Sequence, residues 1–229
     1  INRRAKDHVF PFICEKFSHS ILIVLTCVII FVFSEVLSMS VERFPLFPLS
    51  AHLLPEGRMA LRIFEPRYVR MVKQACAENK GFVMCMLNAN GDKNLNEHIH
   101  KIGTYAQVVD FDMLDDGLLG IKVAGSHLVE VSSIEVEKDG LRTGSCKVLE
   151  PWQCDLAPQQ IAPMDERLKE IFGNYEELAS LYESPKFDCP NWVLNRWLEL
   201  LPVDGSQKQH FLAQRECTSL LNYLSALIA

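Results

Sequence analysis

The hydrophobic period of this chain changes once, at Pro151. Upstream, from Val41 to Glu150, apolar residues come in short runs broken by Gly, Pro, Asn and Asp, as strands joined by turns do. Downstream, Met164, Leu168, Ile171, Phe172, Tyr175, Leu178 and Tyr182 step by three and four residues, the stripe of one amphipathic helix. Strands followed by helices, rather than alternating with them, predict an α+β class. The stretch from Pro151 to Pro158 is the expected junction between a β-rich subdomain over residues 41–150 and a helical bundle over residues 158–229.

Within the first part, Phe44 to Leu49 carries two prolines, which cannot donate to a ladder, so an edge strand or entry segment is expected there. Met59 to Phe64 reads as a second strand. Pro66 suits a first helical turn, and Tyr68, Val69, Val72 and Ala75 continue a helical face to about Asn79. Gly81 to Leu87 reads as a strand buried on both faces, and Asn88 to Lys101 as a polar loop. Gly103 to Leu114 and Leu118 to Ala124 flank Asp115-Asp116-Gly117, a hairpin signal, and Leu128 to Val136 and Leu141 to Leu149 repeat the arrangement around Asp139-Gly140. A barrel or meander with one inserted helix follows.

In the second part Pro190 opens a helix carrying Val193, Leu194, Trp197, Leu198 and Leu201. Trp192 and Trp197 lie about 140° apart around its axis, so one of them is expected to be partly exposed. Ser206 with Gln209 reads as a capping box for a last helix striped by Leu212, Cys217, Leu220, Leu221 and Leu224.

The first 38 residues stand apart. The chain opens on Ile1, its first methionine is Met39, and Ile21 to Phe33 is a thirteen-residue apolar run preceded by Arg3, Arg4, Lys6 and Lys16. At about 1.5 Å per residue that run is too short to cross a bilayer unless it recruits Val36 and Leu37. A signal peptide and a marginal membrane anchor are two readings of it. The third, adopted here, is upstream sequence preceding a protein that starts at Met39 in the cytoplasm; membrane anchoring or export would require Ile21 to Leu37 to be genuine. The eight cysteines include no C-x-x-C pair, which favours free thiols in a reducing compartment over disulfides, zinc or redox chemistry.

A net charge of −6 opposes binding to a phosphate backbone, so nucleic acid is not an expected partner. His98 and His100 read as a surface pair without a third metal ligand. Asp110, Asp112, Asp115 and Asp116 read as a solvated strand face entering a turn. Ser126-His127 and Gly144-Ser145 lack the G-x-S-x-G elbow of a hydrolase. No G-x-x-x-x-G-K-[ST] phosphate loop is present either.

Phe44-Pro45-Leu46, Leu61 through Tyr68 (LRIFEPRY), Gly103-Thr104, Leu114 through Gly117, Ile121 through Gly125 and Glu199 through Val203 occur in this order. In that order they resemble the Lon protease N-terminal (substrate-binding) domain family, from about Val41 to Leu227. The family commonly has an arginine shortly after the strand ending in Gly125, and this sequence has His127 in that neighbourhood. The resemblance implies a PUA-like β-rich pseudo-barrel followed by a helical bundle. It also implies a non-catalytic module of protein quality control, stand-alone without ATPase or protease domains, that binds unfolded or tagged polypeptides or acts as an adaptor, with no cofactor or metal. A serine hydrolase and an RNA-binding PUA-like module are the alternatives. Phe64, Arg67 and Tyr68 are the candidate peptide-binding residues. Their structural reading puts Phe64 and Tyr68 in the core, with Arg67 pairing Glu65 or capping a carbonyl.

Overall fold

A computed structural model of the chain describes residues 41–214 and 216–228; the expectations for residues 1–38 lie outside the described residues. Strands β1 (Glu42–Leu49) and β2 (Arg58–Ile63) lead into helix α1 (Pro66–Glu78), followed by β3 (Phe82–Leu87), β4 (Ile99–Met113), β5 (Leu119–Val136) and β6 (Arg142–Val148). A 3₁₀ turn (Pro158–Gln160) then precedes α2 (Ala162–Asn174), α3 (Glu176–Ala179), α4 (Pro190–Leu200), α5 (Gly205–Leu212) and α6 (Thr218–Ile228). The architecture is mixed, a six-stranded sheet with helices.

The sheet order is β2-β5-β4-β3-β1-β6, and β6 returns to pair with β5. Strands β5, β4, β3, β1 and β6 therefore form a closed circuit, with β2 attached outside it to β5 alone. One 18-residue strand makes this possible: residues 119–124 of β5 pair with β2, while residues 129–136 pair with β6. The expected break between Ala124 and Leu128 does not occur. Gly125 sits there instead, where a Cβ would lie 2.3 Å from the Leu54 carbonyl oxygen, so the close approach of the 53–57 segment demands glycine.

β1 is not the edge strand its prolines suggested. Its residues 42–46 pair antiparallel with β6, and residues 46–49 pair parallel with β3. Pro45 and Pro48 each fall in a half with a single partner, which leaves one side free of any ladder for a residue without a donor. The β4–β5 hairpin forms around Asp115-Asp116-Gly117 with Gly117 at φ +78°, and Gly140 takes φ +84° in the next turn.

Two apolar clusters fill the sheet. Phe47, Ile63, Phe82, Ile121 and Val123 pack against Met71, Val72 and Ala75 of α1, and Leu46, Val83, Ile99, Val129 and Val131 make the second. A third cluster joins Leu54, Met86, Leu128 and Trp152 to the helices. Its centre is α4, whose residues Trp192 through Leu198 are all buried. Both tryptophans are therefore inside, at 3% and 6% exposure, because a helix surrounded on every side has no outer face. Trp197 Nε1 donates to the Met164 carbonyl (3.0 Å), and Trp192 packs among Phe172, Tyr182 and Phe187.

Three local expectations change. The stripe from Met164 to Tyr182 breaks after Gly173-Asn174 into α2 and α3. The expected last helix is likewise two, α5 and α6, and the cap is Asp204, whose Oδ1 accepts from Ser206 N (2.9 Å). Gln209, expected in that cap, instead reaches β4: its amide accepts from Ile102 N (2.9 Å) and donates to Ile102 O (2.8 Å). The cysteines change too. The segment after β6 runs beside the start of α6 through a Gln153–Glu216 bridge, and Cys154 and Cys217 are joined as a disulfide across 63 residues. Local spacing could not show a pair made only by tertiary packing. Cys85 and Cys146 remain buried thiols, and Cys76 is an exposed one.

Candidate functional site

The Phe64–Tyr68 string divides at the corner between β2 and α1. Phe64 falls between the end of β2 and Glu65, the N-cap of α1, and is 70% exposed, so it is not the core residue its structural reading expected. Arg67 pairs with Glu65 (2.6 Å), donates to the Gly140 carbonyl (2.9 Å) and lies over the Tyr68 ring. Tyr68 is half-buried, edge-on to Phe47 at 4.4 Å, and burial pushes its hydroxyl pKa up.

The histidines are not a surface pair. His98 is buried and His100 half-buried at the start of β4, and burial lowers the pKa of both. Among the described residues no group of three or more His, Cys, Asp or Glu is arranged to hold a metal. Ser126 Oγ lies 3.0 Å from His127 Nδ1, and the His127 ring stacks on Tyr105.

Three strand segments project from the circuit as a wing: β2, residues 119–124 of β5 in the middle, and residues 107–113 of β4. The β3 ladder stops at Ala106, so β4 beyond it has a free outer edge, as β2 has. On one face, Met59, Leu61 and Ile63 align with Val123, Ile121 and Leu119, which align in turn with Val108, Phe111 and Met113. Helix α1 covers the inner part of this apolar face. At its outer end Phe111 and Met113 stay 67% and 66% exposed. The alternation depends on a bulge: Val109 is an extra residue between the Val108–Val123 and Asp110–Lys122 pairs, and it sends Asp110 and Asp112 to the opposite face.

That opposite face is concave. Ala60, Arg62, Asp110, Gly120 and Lys122 line a recess of about 710 Å³, which continues past Asp110 and Lys122 into a second of about 640 Å³ walled by Tyr182, Glu183 and Lys186. Together they make one open groove between the wing and the segment after α3. Its charges are largely matched: Lys122 with Asp110 (2.9 Å), Lys186 with Glu56 (2.5 Å), and Arg62 with Asp116. The Lys122 ammonium holds the Asp110 carboxyl below its ordinary pKa.

The groove is held to the helices by a buried ionic cluster. Arg196, 1% exposed, donates to the Pro55 carbonyl (3.0 Å) and meets both oxygens of Glu199 (2.6 and 2.9 Å), while Glu199 Oε1 accepts from Leu54 N (2.5 Å). Burial pushes the Glu199 carboxyl up to about 7 against the pull of Arg196. Gly57 is required here, since a Cβ would lie 2.4 Å from Glu199 Oε1. Nearby, burial and then Lys208 lower His52 to about 3. Between pH 6.5 and 3 the unfolded chain therefore binds a proton at His52 that the folded chain refuses, and stability falls as pH falls through that window, by at most about 1.4 kcal/mol per unit for one proton. The stability of wild type minus that of His52→Gln, from urea unfolding, is expected to drop steadily from pH 6.5 to 5; a constant difference would mean that His52 takes up its proton in the folded state.

Phe111, Met113, Tyr182 and the Arg196–Glu199 pair did not stand out as functional in the sequence. The alternation Val109-Asp110-Phe111-Asp112-Met113 was the available signal. Its aspartates alone carry a turn signal, and they read as a solvated face.

A family model described as the ATP-dependent protease La (LON) substrate-binding domain matches residues 43–229. The Lon protease of Bacillus thuringiensis (strain Al Hakam) is 25% identical over 193 residues, covering 81% of this chain and 24% of that protein, so the chain spans about a quarter of that relative's length. Among solved structures, the Lon N-terminal domain protein from Xanthomonas campestris matches with a TM-score of 0.63 at 26% identity, covering 81% of this chain and 98% of that one. The N terminal domain of the Mycobacterium avium complex Lon protease matches with a TM-score of 0.57 over 82% of this chain and 98% of that one; at 12% identity the likeness is one of fold. Because the family match runs from Arg43 through both the strands and the helices, the chain belongs to the LON substrate-binding domain family.

Proposed function

We propose that the chain binds exposed apolar segments of unfolded or tagged polypeptides through its wing and performs no chemistry of its own, serving as a substrate-recognition or adaptor module. Family membership supports the general reading. The observation that carries the site is the apolar outer end of the wing, where Phe111 and Met113 stand exposed beside an open groove. Aromatic and methionine side chains are favoured anchors at protein interfaces. Ile63, Leu119 and Met113 are in register across the three strands, so Phe64 leaves β2 at this same end and joins the proposed surface. Arg67 and Tyr68 contribute by fixing the corner. The closed circuit followed by helices also supports the PUA-like pseudo-barrel and helical-bundle subdomains over 41–150 and 158–229.

The test uses the full chain and a permanently unfolded protein, reduced and carboxymethylated lactalbumin, with affinity read by fluorescence anisotropy. Phe111→Asp with Met113→Asp is expected to weaken binding at least tenfold, about the loss of one or two interface anchors, with the melting temperature unchanged. Equal binding by the double variant, or no binding by the wild type, would overturn the proposal.

A further inference from the structure

The wing has two open edges, and they differ. In β4, the ladder to β5 uses residues 110, 112 and 114, as the Leu114 N to Leu118 O bond (2.9 Å) fixes, so the backbones of Phe111 and Met113 face outward. One outward N–H group is taken by the preceding aspartate: Met113 N donates to Asp112 Oδ1 (2.7 Å). That edge therefore has its last outward donor occupied and carries the charged side chains of Asp110 and Asp112, and charge along an edge disfavours strand addition.

In β2, Gly125 N donates to Gly57 O (3.0 Å), which sets residues 57, 59, 61 and 63 toward β5 and turns the backbones of Arg58, Ala60 and Arg62 outward. Arg58 N donates to the Tyr182 hydroxyl (3.0 Å), where the carbonyl of a neighbouring strand would stand. Among the described residues the outward N–H groups of Ala60 and Arg62 have no partner. On the apolar face this edge is flanked by partly exposed Met59 and Leu61; on the groove face it is flanked by the side chains of Arg58 and Arg62, and Arg58 has no ion pair among the described residues.

We propose that an extended polypeptide segment adds to the free edge of β2 as a further strand, with apolar residues at alternate positions over Met59 and Leu61 and an acidic residue between them beside Arg58, the guanidinium that Asp116 does not neutralise. The inference rests on the polypeptide-binding reading above and names the class of segment and the way it is held. A strand edge presents alternating donors and acceptors that an extended main chain matches irrespective of side-chain sequence, while alternate side chains supply preference. Successive side chains of an added strand fall on opposite faces, so the apolar face and the Arg58 guanidinium select different alternate positions.

The test uses the full chain and a fluorescent seven-residue peptide alternating Val and Glu, in two backbone-methylated forms: one N-methylated at the Val residues, the other at the Glu residues. Each set blocks one edge of an extended peptide. Loss of affinity of thirtyfold or more in one form, with the other within threefold, supports strand addition and reports its direction; equal loss, or none in either, overturns it. On the protein side, Ala60→Pro removes only an outward donor, and proline keeps Met59 extended, so the fold is expected to persist while binding falls at least thirtyfold. The methylated peptides decide the matter if that variant misfolds. A peptide alternating Val and Lys is expected to bind several-fold more weakly at low salt, and tighter binding by it would overturn the assigned acidic preference. Wild-type chain that binds lactalbumin while showing no difference between the methylated forms sinks the edge alone; wild-type chain that binds neither ligand sinks the polypeptide-binding reading with it.

Discussion

Glu199→Ala is expected to lower the free energy of unfolding by about 3–5 kcal/mol, because removing one member of a buried ion pair leaves the other charged and uncompensated. Arg196 is 1% exposed and would keep only carbonyl acceptors of the 53–57 segment. Leu54 N would also lose its acceptor. Urea unfolding at pH 8 would show the effect as a lower midpoint with an unchanged slope, and a loss under about 1 kcal/mol would mean that water replaces the carboxylate. Glu199→Gln separates charge from shape. With the folded carboxyl raised from its ordinary 4.5 to about 7, the folded wild type holds a proton that the unfolded chain has released between those values. Wild type therefore loses stability relative to Glu199→Gln as pH rises from 4.5 to 7, and the gap stays constant above.

Trp192→Ala is expected to cost about 3–5 kcal/mol, the range for truncating a large buried aromatic side chain. The indole is 3% exposed, in contact distance of the Phe172, Tyr182 and Phe187 rings and 5.4 Å from the Arg196 guanidinium. The consequence should reach the groove, since Tyr182 leans on Trp192 and its hydroxyl accepts from Arg58 N. Amide exchange at Arg58 is expected to quicken in the variant by more than the global loss of stability explains, and exchange that tracks global stability alone would contradict this coupling.

Much of the layout was readable from residue order. Pro66 with its helical face, the two Asp-Gly turns and Pro190 mark elements that the structure contains, because turn chemistry and helix starts are local properties. What the sequence could not supply were facts about neighbours. β1 takes two prolines inside a circuit because it changes partner at Leu46. α4 hides both tryptophans because other elements surround it. The exposed ends of the wing were hidden for a related reason. Alternating apolar residues imply a buried face, yet Phe111 and Met113 extend past the reach of α1, and the bulge at Val109 decides which residues share their face. Phe64 was singled out for its motif, but its exposure follows from its place between two elements.

The closed circuit also sets the order in which parts of the molecule open. A sheet with ends can unzip from its margin one strand at a time. A ring of five strands has no margin, so it must break a ladder in its middle before any strand leaves, and its amides should exchange together near the global limit. β2 hangs on β5 alone, so it can detach while the ring stays shut. Its amides, with those of β4 beyond Ala106, should be the first of the sheet to exchange, a small reversible opening at the edge that a passing chain would meet.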